Sequence, residues 1–285
     1  MTSATPITAY TCELGEGARW VDGRLVHTDI LSGRLLSPRS DGTAEVLADL
    51  DVPLGAVAPI ADRPGEWIAA AGGGIAVLSH GRVQWLATPE ADRSPATRMN
   101  DGSCDPRGRL WAGSMAYDNT PGAGCLYRVD GDGTVVRVLE GLTIPNGPAW
   151  SPGGDVMYLS ASADGRVDAY PVDAAGDLGA PEVFAQLETG LTPDGLTVDA
   201  DGGVWVAVWD GAQVRRYLPD GTADTVLELP TSRPTSCCFG GPDLKRLYVT
   251  TASYGLNEAN AGGVYAFDVG IAGRHTAPFV PLRTP

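Results

Sequence analysis

The chain has a single lysine, Lys245, among 285 residues, and its formal net charge is −15. A nucleic-acid-binding surface needs a basic stripe to displace counterions, so no nucleic-acid partner is expected. No apolar run approaches the length of a membrane span, and no membrane partner is expected either. The opening "MTSATPITAYTCELGEG" has no positive stretch and no apolar one, so a signal peptide is not indicated. Cysteine is scarce and odd in number: Cys12, Cys104, Cys125, Cys237 and Cys238. No Cys-x-x-Cys pair exists, which argues against a zinc knuckle or a disulfide framework. Free thiols and a cytoplasmic setting are the expectation. The three histidines, His27, His80 and His275, are isolated and read as surface or hydrogen-bonded positions. There is no Gly-x-Ser-x-Gly elbow, no His-Glu-x-x-His and no phosphate-binding loop. Long helical periodicity is missing as well.

What is present is turn chemistry, spread evenly. The chain carries 38 Gly and 22 Pro between short β-rich runs. Six turn-then-strand units line up: "VDGRLVHTD", "RPGEWIAAA", "DPRGRLWAGS", "SPGGDVMYLS", "DADGGVWVAV" and "GPDLKRLYVT". Leu25, Trp67, Trp111, Tyr158, Trp205 and Tyr248 take matching places, at successive separations of 42, 44, 47, 47 and 43 residues. Segments such as "GCLYRVDGDGTVVRVL" follow and read as strand, Asp-Gly turn and strand. Four strands per period predict an all-β, six-bladed β-propeller with four antiparallel strands per blade. The six periods use up residues 1–285 as one propeller domain. A two-sheet sandwich is the competing reading, but it requires no uniform four-strand period. "PITAY" near the N-terminus is expected to add an outer strand to the last blade and close the ring. The seven Trp read as blade-core fillers.

Each blade begins with an inner strand just upstream of its turn. The leading residues there are Glu16, Leu54, Asn100, Asn146, Asp194 and Thr235. Equivalent positions of a propeller form a ring at one mouth of the channel. Glu16, Asn100, Asn146 and Asp194 all bring oxygen to that ring, and a Gly directly follows three of them. The Gly is expected to let backbone approach a small bound group. Carboxylates with an amide oxygen suit one hard divalent cation, Ca²⁺ first, with Mg²⁺, Mn²⁺ or Zn²⁺ as alternatives. Two carboxylates facing a narrow channel repel, and a cation relieves that repulsion.

These segments resemble the regucalcin/gluconolactonase family, also called senescence marker protein-like lactonases. "LGEGARW", "RMNDGSCDPRGRLWAGSMAYD", "PNGPAWSP", "PDGLTVDADGGVWVA", "TSCCFGG" and "AGGVYAF" occur in the family's order, over nearly the whole chain. The resemblance implies a six-bladed propeller with one divalent metal at the channel mouth, acting on a small sugar lactone. It implies Glu16, Asn146 and Asp194 as metal ligands, and Arg98 and Asn100 as substrate-orienting residues. A Glu that contacts sugar in some members falls here on Asp118. Ser160-Ala161-Ser162 replaces the Asp-Ser or Asp-Thr of many members, a departure that bears on the neighbouring loop.

The implied reaction is metal-dependent opening of sugar lactones such as gluconolactone to the aldonic acid. Asp194 is the expected general base as well as a ligand. Arg98, Asn100 and Asp118 are the expected substrate contacts. A calcium-binding regulatory propeller without turnover, or a phosphotriesterase-like hydrolase on the same scaffold, are the alternatives. The protein is expected to be a monomer or a weak homo-oligomer.

Overall fold

The computed structural model describes residues 3–282. Its strands form six four-stranded antiparallel sheets. Blade 6 is closed by β1 (Thr5–Pro6), the first strand of the chain. Blade 1 follows with β2 (Gly15–Val21), β3 (Arg24–Asp29), β4 (Arg34–Pro38) and β5 (Ala44–Asp49). Blade 2 holds β6 (Leu54–Ile60), β7 (Arg63–Ala71), β8 (Gly74–Ser79) and β9 (Arg82–Ala87). Blade 3 holds β10 (Thr97–Cys104), β11 (Leu110–Ala116), β12 (Gly124–Val129) and β13 (Val135–Leu142). Blade 4 holds β14 (Pro145–Trp150), β15 (Val156–Ala161), β16 (Arg166–Pro171) and β17 (Glu182–Gln186). Blade 5 holds β18 (Thr192–Val198), β19 (Val204–Trp209), β20 (Gln213–Tyr217) and β21 (Ala223–Glu228). Blade 6 holds β22 (Pro234–Gly240), β23 (Arg246–Thr251) and β24 (Val264–Asp268). A single 3₁₀ turn, Ser162–Asp164, is the one helical element among the described residues.

The inner strands β2, β6, β10, β14, β18 and β22 pack side by side in a closed ring. Thr5 and Pro6 pair with Ala266 and Tyr265, so the N-terminus does complete the last blade. Pairing both ends into one sheet leaves no open edge where the ring meets.

The core lies between the blades, because each sheet must bury both faces against its neighbours. Leu54, Val57 and Trp67 pack on Val26 and Leu35. Trp111 meets Trp150 and Met157, and Trp205 meets Phe239 and Phe267. All six repeat-matched residues are buried. Four of the seven Trp are core; Trp85 is instead 42% exposed, and Trp209 lies half-buried under the Arg233 guanidinium.

Two blades share one polar anchor. The Asp199 carboxylate accepts from the backbone N–H groups of Asp201 and Gly203, from Trp205 Nε1 and from Arg216 Nε, at 2.8–3.0 Å. Asp105 does the same for Arg107, Arg109 and Trp111 in blade 3. The recurring Asp-to-Trp spacing of the turn units is therefore a hydrogen-bond requirement as well as a turn signal.

Beyond β24 the chain crosses the end of the channel opposite the mouth, which the sequence pattern did not reveal. Arg274 donates to the carbonyls of Trp150 and Ser151, Phe279 exchanges backbone bonds with Pro59 and Ala61, and Val280 N–H donates to Gly108. This ties blades 4, 2 and 3 together, and Phe279 is buried in the core.

All five cysteines are free and buried. His80 and His275 are exposed, but His27 is fully buried. Its Nδ1 sits 3.2 Å from the Thr28 carbonyl, which only accepts, so Nδ1 carries the hydrogen. Nε2 then accepts from the Tyr10 hydroxyl at 2.7 Å. Burial lowers the His27 pKa from 6.5 to about 4, against the opposing pull of the Thr28 carbonyl and Asp29. The unfolded chain takes up a proton near pH 6.5, whereas the fold resists until about 4. Stability should therefore fall as pH drops through that window, by up to about 3 kcal/mol from this group. Denaturant midpoints at pH 7 and 4.5 check this. His27→Gln should flatten the difference, and an equal loss in variant and wild type would remove His27 as its source.

Candidate active site at the channel mouth

Every inner strand breaks register near its start. The ladder slips after Glu16, Leu54, Met99, Asn146, Pro193 and Pro234. A bulge adds one residue to the inner strand and re-aims the side chains beside it. Glu16 and Asn146 hold the last paired positions, opposite Thr28 and Ser160. Asn100 and Asp194 lie within the slip itself, one residue further on. The four predicted ring residues thus occupy two adjacent positions rather than one. Of the other two ring positions, Leu54 turns into the core between blades 1 and 2. Thr235 is spent on the Gly15 carbonyl and the Thr250 hydroxyl.

Two of the adjacent glycines meet demands of the backbone itself. Gly147 adopts φ +91° and donates its N–H to Asp101 Oδ2 at 2.9 Å. A Cβ on Gly195 would sit 2.8 Å from the Thr235 carbonyl oxygen of the next inner strand. Close packing of neighbouring inner strands is what these positions require.

A directional chain of hydrogen bonds orders the amides. Arg98 Nη1 donates to Asn100 Oδ1 at 2.8 Å and to the Met99 carbonyl at 3.0 Å. A guanidinium has no acceptor, so Asn100 must turn its oxygen toward it. Asn100 Nδ2 then donates to Asn146 Oδ1 at 2.8 Å and to the Pro145 carbonyl at 3.1 Å. Asn146 Nδ2 donates in turn to Ser162 Oγ at 3.0 Å. Asn146 Oδ1 keeps a second lone pair, so its orientation is imposed by Arg98 two residues away in the chain of bonds. Arg98 Nε and Nη2 find no acceptor among the described residues and are not among the buried unpartnered atoms, so they keep access to solvent.

The acids sit beside this chain. Glu16 and Asp194 are buried, and each lies near enough to affect the ionisation of the other. Burial, then the charges of Asp194 and Asp101, hold the Glu16 carboxyl well above the usual range. Burial, then the charge of Asp101, does the same to Asp194, although Arg98 and the Gly195 N–H pull the other way. Like charges this deep cannot both ionise without a partner. Among the described residues no three His, Cys, Asp or Glu side chains group as a metal cluster. The set here is two carboxylates and a carboxamide, which is hard-cation chemistry, and the unbalanced acid pair fits a divalent ion.

Asp101 and Arg19 were not foreseen. Asp101 Oδ1 accepts from Gly102 N–H at 2.8 Å and lies 3.6 Å from Arg19 Nη2. Strand alternation would send Asn100 and Asp101 to opposite faces; the bulge places both at the centre. The signal was the adjacent Asn-Asp pair, without the bulge to interpret it. Ser160 and Ser162 prove supportive: Ser160 Oγ donates to the Asp194 carbonyl at 2.7 Å, and Ser162 ends the amide chain. Asp118 is not brought into the cluster. It is exposed after β11, and its Oδ1 accepts from Thr120 N–H and Oγ1 at 3.0 and 2.7 Å, a closed local turn.

The family profile described as SMP-30/Gluconolactonase/LRE-like region matches residues 14–253. A pentonolactonase of Haloferax volcanii is 35% identical over 291 residues, covering 95% of this chain and 96% of that protein. Regucalcin of Gallus gallus is 33% identical, covering 93% and 94%. The crystal structure of a calcium-binding protein, regucalcin, from Agrobacterium tumefaciens superposes with a TM-score of 0.90 at 29% identity, covering 98% and 97%. With the profile spanning most of the propeller and the relatives nearly all of it, this chain belongs to the SMP-30/gluconolactonase/LRE-like family.

Proposed function

We propose that this chain hydrolyses sugar lactones with the help of one divalent cation at the channel mouth. The observation that carries the reading is the Arg98–Asn100–Asn146 chain set beside the buried pair Glu16 and Asp194. The name of the Haloferax relative places lactones within the family's reach. Glu16, Asn146 and Asp194 would hold the ion, with Ca²⁺ the first choice and Zn²⁺, Mn²⁺ or Mg²⁺ the alternatives. A bound divalent cation supplies Lewis acidity to the ester carbonyl and its attacking water.

The rest is work for the protein's own groups. Asp194 accepts the proton that water loses as its oxygen bonds to the carbonyl carbon. The ring C–O bond then breaks, and the proton passes to the departing ring oxygen to leave a hydroxy acid. Arg98 Nε and Nη2 hold substrate hydroxyls at the mouth, while Nη1 keeps Asn100 and Asn146 oriented. Asp101 stays at the floor, bonded to Gly147 and Gly102, and its charge sustains the basicity of Asp194.

The deciding experiment is turnover of glucono-1,5-lactone by metal-stripped protein with each of the four ions restored. Activity that returns with one or more ions supports the reading; no turnover with any ion overturns it. Arg98→Ala should cost roughly 10- to 150-fold in kcat/KM on that lactone, the weight of a charged hydrogen bond. The unsubstituted δ-valerolactone should lose less. Equal losses would assign Arg98 to orienting Asn146 alone.

A further inference from the structure

We propose that Tyr117 determines substrate specificity, forming with Arg98 an outer subsite for the hydroxylated part of a neutral, polyhydroxylated lactone. This rests on the lactonase reading above. The β10–β11 ladder pairs Arg98 with Met115 and Thr97 with Ala116. Tyr117 N–H continues it, donating to the Ala96 carbonyl at 3.1 Å. Side chains alternate along a strand, so Met115 and Tyr117 share a face with Arg98. Tyr117 is the diagonal neighbour of Arg98, about 7–8 Å away across the ladder, which an aromatic side chain spans.

Three further observations set its role. Tyr117 is 55% exposed, whereas Arg98 beneath it is buried. Its hydroxyl makes no hydrogen bond to the described residues, and the adjacent Nε and Nη2 of Arg98 are likewise unspent. Burial lowers the pKa of Arg98, and Tyr117, Glu16 and Asp194 lie near enough to offset part of that effect. The phenol is thus the exposed group, while Arg98, Glu16 and Asp194 are all buried. A phenol ring offers its face to the C–H groups of a sugar and its hydroxyl to one of the sugar's own. The rim contact that the resemblance implied for Asp118 would fall one residue earlier, since Asp118 is engaged with Thr120.

The test compares wild type, Tyr117→Phe and Tyr117→Ala. The first readout is the ratio of kcat/KM for glucono-1,5-lactone to that for δ-valerolactone. The second is calorimetric binding of D-glucitol, a polyol with no reacting carbonyl. Tyr117→Phe should lower the ratio and weaken glucitol binding roughly 2- to 10-fold, one neutral hydrogen bond. Tyr117→Ala should add a similar factor through lost ring contact. An unchanged ratio and unchanged glucitol affinity in both variants overturn the proposal. If wild type opens no lactone with any ion, the lactonase reading fails and the glucitol measurement alone decides Tyr117. A wild type that neither opens lactone nor binds glucitol overturns both.

Discussion

Asp194→Asn should lose lactone turnover by roughly 10²–10⁴-fold, the cost of removing a general base, while retaining part of its affinity for a divalent cation. The replacement keeps an oxygen of nearly the same shape where the carboxylate stood. It removes the group proposed to accept the proton. Asp194 is suited to that task because its environment raises its basicity: it is buried, and the charge of Asp101 lies beside it. Arg98 tempers the effect without cancelling it. The backbone of the variant should be undisturbed, since Ser160 Oγ holds residue 194 through its carbonyl rather than its side chain. Turnover at saturating Ca²⁺, Zn²⁺, Mn²⁺ or Mg²⁺ is the measurement, with cation affinity by calorimetry beside it. Excess ion should not restore the rate. A variant that binds the ion and turns over near the wild-type rate would remove Asp194 as the base.

The repeat made the blades legible because a propeller repeats its turn chemistry. Asp199 and Asp105 must each satisfy two or more N–H groups and a Trp Nε1, so the same residues recur at the same offsets. Closure by the N-terminus was legible on other grounds: "PITAY" stands ahead of the first repeat, and an open ring would leave a bare sheet edge. The site was legible only in outline. Glu16, Asn100, Asn146 and Asp194 could be picked out by chemistry, but a single aligned column cannot represent strands that bulge at that point. Asp101 went unselected because only one leading residue per inner strand was compared, and the bulge there brings in its neighbour as well. Asp118 came from the family resemblance, and the Asx turn that engages it depends on how the loop after β11 folds, which the sequence does not show. The tail across the far end carries no periodicity, so nothing in its pattern announced where it lies.

Asn146→Ala should behave in the opposite way to the change at Asp194: cation affinity should fall steeply, and added cation should restore most of the rate. In the proposed site Asn146 would be a neutral ligand whose place water can take, and no proton would move through it. The amide chain sharpens the expectation. Asn146 receives Asn100 Nδ2 and gives its own Nδ2 to Ser162, so its oxygen is held from both sides. Ser162→Ala releases one side and leaves the ligand in place. Losing such an orienting partner weakens metal binding roughly 10–100-fold, and losing the ligand itself should weaken it at least as much. Binding can be read without turnover, because an ion that binds only the folded chain stabilises it by about 2.7 kcal/mol at 100 times its Kd. The denaturant midpoint of wild type should therefore rise with cation, that of Ser162→Ala should need more, and that of Asn146→Ala more again. Equal midpoint curves for Asn146→Ala and wild type would remove Asn146 from the ion's ligands. A variant whose midpoint saturates with cation while its turnover stays lost would give Asn146 a part in the chemistry that a neutral ligand cannot explain.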